Sequence, residues 1–230
     1  MRSNQFTYNG MEFSTLHQKH GQVALVNTTG IFGLYTQYRS TNVNVPDIKR
    51  LEIPTVAIDS RGNRFAVVEI KKGCLENLKE TEDIVIPDSV INLEWSFWHC
   101  KALRAIHVSK ENPTYCDHNG VLFTKDMKTL IAYPNLHGKE FIVPEGVTEI
   151  ATCAFKDSSI ERLKLPATLM RIGTNAFYRC TKLTDVLGII NNKIFYEGFC
   201  GSYGNVNPNF HIGDTVVKLS EIEKGVVKVL

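Results

Sequence analysis

Residues 141–187 read FIVPEGVTEIATCAFKDSSIERLKLPATLMRIGTNAFYRCTKLTDVL and contain one unit twice. The first copy is Phe141-Ile142-Val143-Pro144, Val147, Ile150, Ala154-Phe155, Ile160, Leu163 and Leu165; the second is Leu165-Pro166, Leu169, Ile172, Ala176-Phe177, Cys180, Leu183 and Val186. Upstream, Ile84-Val85-Ile86-Pro87, Val90, Leu93, Ser96-Phe97, Cys100, Leu103, Ile106 and Val108 coincide with it after a one-residue slip before the phenylalanine. Ser158 stands where the other copies have Cys100 and Cys180. Weaker copies flank these, with Val67, Ile70 and Cys74-Leu75 before them and Phe210, Ile212-Gly213, Val216 and Leu219 after. Units of about 22 residues cannot each bury an apolar face alone, so they stack and share one core. Each short strand alternates, which turns Leu103, Ile106 and Val108 inward and leaves Arg104, Ala105 and His107 toward water. Pro87, Pro144 and Pro166 suit strand ends, because proline has no ladder hydrogen to donate.

The repeat is interrupted by residues 109–140, SKENPTYCDHNGVLFTKDMKTLIAYPNLHGKE. Asn119-Gly120 favours a tight turn with positive φ, and Val121-Leu122-Phe123 and Leu130-Ile131-Ala132-Tyr133 flank a turn at Lys125-Asp126-Met127-Lys128. An inserted β-hairpin is expected. The rung together with this interruption resembles the BspA-type leucine-rich repeat family across roughly residues 53–219. The chain departs from that pattern at His118-Asn119-Gly120, at Ser158, and at Lys224-Gly225 where Ala-Phe would fall. The expected fold is a β-rich leucine-rich repeat solenoid, a right-handed α/β-type superhelix with very short helical turns. Residues 53–230 would form it, with a loop insertion at 189–209 and an atypical last rung at 210–230 that is either a capping unit or the cut end of a longer array.

Residues 1–52 do not follow the repeat. Phe6-Thr7-Tyr8 and Met11-Glu12-Phe13 around Asn9-Gly10 give a hairpin signal, and Val23-Ala24-Leu25-Val26 and Ile31-Phe32-Gly33-Leu34-Tyr35 read as further strands. A β-rich N-terminal cap is expected, since the open end of a solenoid exposes apolar surface and unpaired strand edges.

With 26 basic and 24 acidic residues, a net charge of +2 and 43% hydrophobic residues, the composition is that of a globular protein with no electrostatic footprint for nucleic acid or an anionic membrane. No run approaches the roughly 18 apolar residues of a spanning helix. The start, MRSNQFTYNGMEF, lacks the layout of a secretory leader. The six cysteines form no Cys-x-x-Cys pair, so no zinc or redox centre and no cofactor are expected. Cys100 and Cys180 are read as free thiols inside coils.

Catalytic signatures are faint. Glu197-Gly198-Phe199-Cys200-Gly201-Ser202-Tyr203 is similar to the nucleophile segment of papain-like proteases, but that chemistry needs a His and an Asn far downstream, and His211 alone cannot complete it. His17 and His20 lack a completing ligand, and Glu80 with Glu82-Asp83 reads as a solvated edge. The outward positions are more informative. In-register stacking makes one column of Asp83, Ala105, Glu140, Arg162 and Asp185, and a second of Val85, His107, Ile142, Lys164 and Leu187. The first reads as a charge ladder, and the second as a strand face able to hold a partner. Trp95 and Trp98 lie around Phe97, and Tyr178, after Phe177, stands at the position matching Trp98; such aromatics serve interfaces as well as coil exteriors.

The candidate partner-binding residues are therefore His107, Ile142, Lys164, Arg162, Trp98 and Tyr178. The expected function is a non-catalytic protein-interaction module with an unknown protein partner. The resemblance implies adhesion to host, matrix or other surface proteins from the cell surface. Without a leader in the chain, an intracellular scaffold is the alternative, and a cysteine hydrolase at Cys200 the remote one.

Overall fold

The structure, a computed structural model, describes residues 5–16, 21–27, 48–71, 74–75, 78–93, 97, 99–188, 208–212 and 215–218. The chain forms two compact units, Met1–Ala102 with His107–Tyr115, and Leu103–Ile106 with Cys116–Leu230. All the regular elements among the described residues are strands; where very short helical turns were expected, there are hydrogen-bonded turns. The expected β-rich repeat solenoid is what each unit is built from.

In the first unit, β1 (Gln5–Tyr8) and β2 (Met11–Thr15) form an antiparallel hairpin. Its turn is Asn9-Gly10, both at positive φ, the backbone that dipeptide tolerates best. β3 (Gln22–Asn27) pairs with β2. Next come β4 (Arg50–Glu52), β5 (Val56–Ile58), β6 (Arg64–Ile70), β7 (Asp83–Ile86) and β8 (Asn92–Leu93). β3 and β6 run parallel, as do β6 and β8, so the N-terminal hairpin continues into the sheet of the first coils. β4 and β7 are a second parallel pair that sets Leu51 beside Ile84, both buried. The weak upstream copy is part of this core, for Val67, Ile70, Cys74 and Leu75 are all buried. Residues 31–35, read as a strand, lie outside the described residues.

β9 (Ala105–Val108) buries Ile106, with Leu103 buried just before it, while Val108 is only half-buried. In the second unit follow β10 (Tyr115–His118), β11 (Val121–Thr124) and β12 (Thr129–Ala132). The expected hairpin is β11 with β12, antiparallel with Leu122 opposite Ala132. It is not an excursion from the rungs. β12 also pairs in parallel with β14 (Glu149–Ile150), and β14 with β16 (Arg171–Ile172), so the hairpin starts a second ladder. The main ladder is β13 (Glu140–Ile142), β15 (Arg162–Lys164), β17 (Asp185–Leu187) and β18 (Asn209–Ile212) in parallel, closed by antiparallel β19 (Thr215–Lys218).

Two readings of the repeat need correction. Ala105 does not look into water: a Cβ built on Gly120 would lie 2.8 Å from the Ala105 Cβ, so the hairpin turn rests on it. Val216 is an apolar position of the weak last copy, yet it is 54% exposed and Val217 is buried instead. The antiparallel reversal from β18 into β19 sets Val217 opposite Phe210 and turns Val216 out, whereas a parallel continuation of the rung spacing would not.

The core of the second unit is ordered coil by coil. Leu163 and Val186 meet across the main ladder, and Ile150 and Ile172 across the second, all buried. Between the ladders the turns stack through Phe155 N–H to Ala176 O at 2.8 Å and Asp157 N–H to Tyr178 O at 2.9 Å. The rings follow: Phe155 lies stacked between Tyr133 and Phe177, with centroids 4.8 Å and 5.1 Å apart. The recurring cysteine has a reason too. Cys180 Sγ donates to Phe155 O at 2.9 Å, and in the first unit Cys100 Sγ donates to Leu75 O at 2.8 Å, so each thiol ties its coil to the carbonyl of the preceding one.

This close stacking makes Gly173 necessary, because its Cβ position lies 2.3 Å from Thr152 N and 2.8 Å from Ala151 C. Only backbone occupies that space. Gly173→Ala should therefore cost about 2–3 kcal/mol, read as a lower urea midpoint with unchanged m-value; an unchanged midpoint would mean the turns are not packed against each other.

Candidate strand-face interface

The parallel strands of the second unit place in register the members of the expected columns that lie on them. Glu140, Arg162 and Asp185 are Cα partners in sequence, and so are Ile142, Lys164 and Leu187. The spacing that produces this is visible throughout: Lys139–Glu161 at 3.0 Å, Arg162–Glu140, Arg171–Glu149, and Arg179–Asp157 at 3.0 Å are ion pairs from one coil to the next. All involve at least one exposed side chain, so solvent screens them and they steady register more than stability.

Structure extends both columns beyond the residues named from sequence. β18 adds Asn209 beside Asp185 and His211 beside Leu187, and β19 adds Lys218 and Val216 opposite those two. His211 escaped the sequence reading of this face because residues 189–209 break the repeat count. Its signal was the alternation around Phe210, which leaves 211 outward whenever 210 is inward. The resulting outer column is Ile142, Lys164, Leu187, His211 and Val216. Ile142 is 68% exposed and Leu187 37%.

The inner column is satisfied internally. The Arg162 guanidinium binds Glu140, which raises its pKa further. The Asp185 carboxylate accepts from His211 Nε2 at 3.0 Å, from Thr184 Oγ1 at 2.8 Å and from Asn209 Nδ2 at 3.2 Å. The His211 bond, assisted by those of Thr184 and Asn209, holds that carboxyl below the usual carboxylate range against the opposing effect of burial, which outweighs either of the latter two bonds singly. A carboxyl depressed in the folded state contributes stability above its unfolded pKa of about 3.9 and loses it as pH falls through the folded value. His211→Ala should thus raise the Asp185 midpoint, measured by side-chain carbonyl NMR titration, and weaken the corresponding acid dependence of stability. An unmoved midpoint would mean that the pair does not persist in solution.

The structure places five of the six sequence candidates among the described residues. Ile142, Arg162 and Lys164 lie together on the main ladder of the second unit. Tyr178 sits on the stacked turns, with Lys156 Nζ 5.5 Å from its ring centroid. His107 belongs to the first unit, where its Nε2 is 3.4 Å from Asp83 Oδ1. That pair repeats the geometry of His211 with Asp185. Trp98 lies outside the described residues, as do Trp95, Cys200, His17 and His20.

Among the described residues no group of three or more His, Cys, Asp or Glu could hold a metal ion. No described helix is long and apolar enough to cross a membrane. Cys74, Cys100, Cys116, Cys153 and Cys180 are in no disulfide, and burial pushes the Cys180 thiol up to about 12, far from a nucleophile's range.

Solved structures similar to this chain include that of the pneumococcal vaccine antigen PcpA, 16% identical, with 80% of this chain and 70% of that one covered and a TM-score of 0.42. A leucine-rich repeat protein from Bacteroides ovatus is 17% identical over 80% of this chain and 47% of its own, with a TM-score of 0.46. A leucine rich cell surface protein from Faecalibacterium prausnitzii is 14% identical over 81% and 76%, with a TM-score of 0.39. No curated protein matches the sequence. The BspA type leucine rich repeat region, in six copies, matches residues 55–138 and 131–220, the stretch whose rungs, paired strands and buried thiols are described above. By that match over most of its length, the chain belongs to the BspA-type leucine-rich repeat family.

Proposed function

We propose that this chain is a non-catalytic, adhesin-like interaction module that binds host, matrix or other surface proteins through its outward strand face, from the cell surface or as a secreted protein. The observation that carries the reading is the in-register column of Ile142, Lys164 and Leu187, which presents aliphatic surface around a cation while the neighbouring column neutralises itself. Apolar side chains gathered on one surface, unlike exposed ones scattered singly, mark a contact site. The core is consumed by packing, so the available chemistry lies outside it. Family membership adds the surface setting.

Arg162 borders the contact. His107 offers the equivalent position on the first unit, and Tyr178 serves a partner that reaches the turns. The test is binding of the purified chain to immobilised matrix proteins, comparing wild type with Ile142→Asp/Lys164→Glu and with His107→Ala. Loss of binding at unchanged melting temperature is expected of the double variant. Full binding by it would remove the strand face.

A second reading, an intracellular scaffold, is favoured by the five described cysteines being thiols rather than disulfides, the state that reducing compartments keep. Fractionation of cells expressing the natural gene separates the two, since protein confined to the cytoplasm removes the adhesin reading.

A further inference from the structure

The outer column of the second unit has a pitch and a charge that specify more than a sticky face. Five strands set Ile142, Lys164, Leu187, His211 and Val216 side by side, one per strand. The order is aliphatic, cation, aliphatic, imidazole, aliphatic. Ile142 and Val216, at the two ends, are 68% and 54% exposed. Across the face, Glu140 and Asp185 stand against Arg162, Lys164 and Lys218, a net of one positive charge at neutral pH. Glu140 is taken by Arg162, and Asp185 by His211, Asn209 and Thr184. Among the described residues Lys164 has no ion-pair partner. The unmet charge therefore lies between two exposed aliphatic side chains, and its complement is a carboxylate flanked by apolar groups.

The pitch decides the form of that partner. Neighbouring strands are about 4.8 Å apart, so the five positions span about 19 Å. Four turns of an α-helix span about 22 Å, with one residue of a stripe per turn. Same-side residues of an extended strand recur at about 6.7 Å, and five of them span about 27 Å. A helix lying across the strands stays in step with the column, whereas an extended segment runs a full strand out of step before reaching Val216.

We infer that the partner segment bound by this face is an amphipathic helix with an apolar, acidic, apolar stripe at i, i+4 and i+7, laid across the strands so that its carboxylate meets Lys164 and its flanking side chains meet Ile142 and Leu187. This rests on the strand-face reading above. It adds the partner's secondary structure and charge.

The probes are two synthetic peptides of equal composition. One is a lactam-bridged helix of about four turns carrying Leu, Glu and Leu at i, i+4 and i+7. The other is extended, with the same residues at i, i+2 and i+4. Fluorescence polarisation against the full chain should show saturable binding of the helix, at least tenfold tighter than the extended peptide. Lys164→Glu should lower the helix affinity at least tenfold, and replacing the peptide's Glu with Lys should restore binding to that variant.

Extended-peptide binding that is equal or tighter, and sensitive to Lys164→Glu, overturns the helix and leaves the strand face standing. Binding of neither peptide also overturns it. Binding of both that ignores Lys164→Glu and Ile142→Asp removes the face itself, and the proposed function with it.

Discussion

Asn112→Ala is expected to destabilise the first unit by about 3–5 kcal/mol, among the largest effects of any single polar substitution in the chain. Asn112 is buried, and every polar atom of its side chain is engaged. Its Nδ2 donates to Pro87 O at 2.7 Å and to Val90 O at 2.8 Å, and its Oδ1 accepts from Thr114 N at 2.9 Å and Tyr115 N at 2.8 Å. The side chain thus ties the turn after β7 to the segment that opens the inserted hairpin. Alanine leaves two carbonyls and two N–H groups without their partner in a place water does not replace fully. Asn112→Asp is the sharper control, because it keeps Oδ1 and the shape while turning a double donor into an acceptor facing two carbonyls. Both should lower the urea midpoint, the Asp variant by at least as much as Ala at neutral pH. If Asn112→Ala melts with the wild type, the buried amide contributes nothing and the account of this junction is wrong.

Phe155→Ala should cost about 4–5 kcal/mol, from the cavity left by a fully buried ring and from two stacked contacts. The ring sits between Tyr133 and Phe177, and the same residue's carbonyl receives the Cys180 thiol. Against a total stability of roughly 5–15 kcal/mol this takes a large share. Thermal melting should fall by about 8–20 °C at this chain length. Phe155→Leu, which keeps most of the volume, should lose less than half of that, since the stack is then interrupted but the cavity largely filled. Equal losses for Leu and Ala would show that ring stacking, rather than filled volume, holds the coils together.

What could be read from sequence follows from how local the governing physics is. Strand positions and register were accessible because Val143-Pro144 and Leu165-Pro166 mark successive strand ends, and equal spacing carries Glu140 to Arg162 and Ile142 to Lys164 without further information. The second ladder was not. Its strands, Glu149–Ile150 and Arg171–Ile172, are two residues long, too short for any alternation to show, and they are strands only because the coils are stacked. The cover on Ala105 also depended on a distant event, the return of Gly120 to the coil it left. At the last rung the error had a different origin. A repeat count carried forward to Val216 assumes that the chain keeps its direction, and β19 reverses it. Of the proposed site, Ile142, Arg162 and Lys164 could be grouped in advance by repeat spacing, which also supplied His107, whereas Tyr178 was singled out by its aromatic character.

The whole account depends on parallel coils in one register with Lys164 and Leu187 on the same outward face. Oxidative cross-linking tests that directly. In Lys164→Cys/Leu187→Cys the two thiols should bridge readily, identified by mass spectrometry as one linked peptide pair, whereas Lys164→Cys/Val186→Cys should not, since Val186 points into the core. Cross-linking at 186 in preference to 187 would mean a one-residue slip that turns every outward side chain inward, and would contradict the ladder, the interface and the inference built on them.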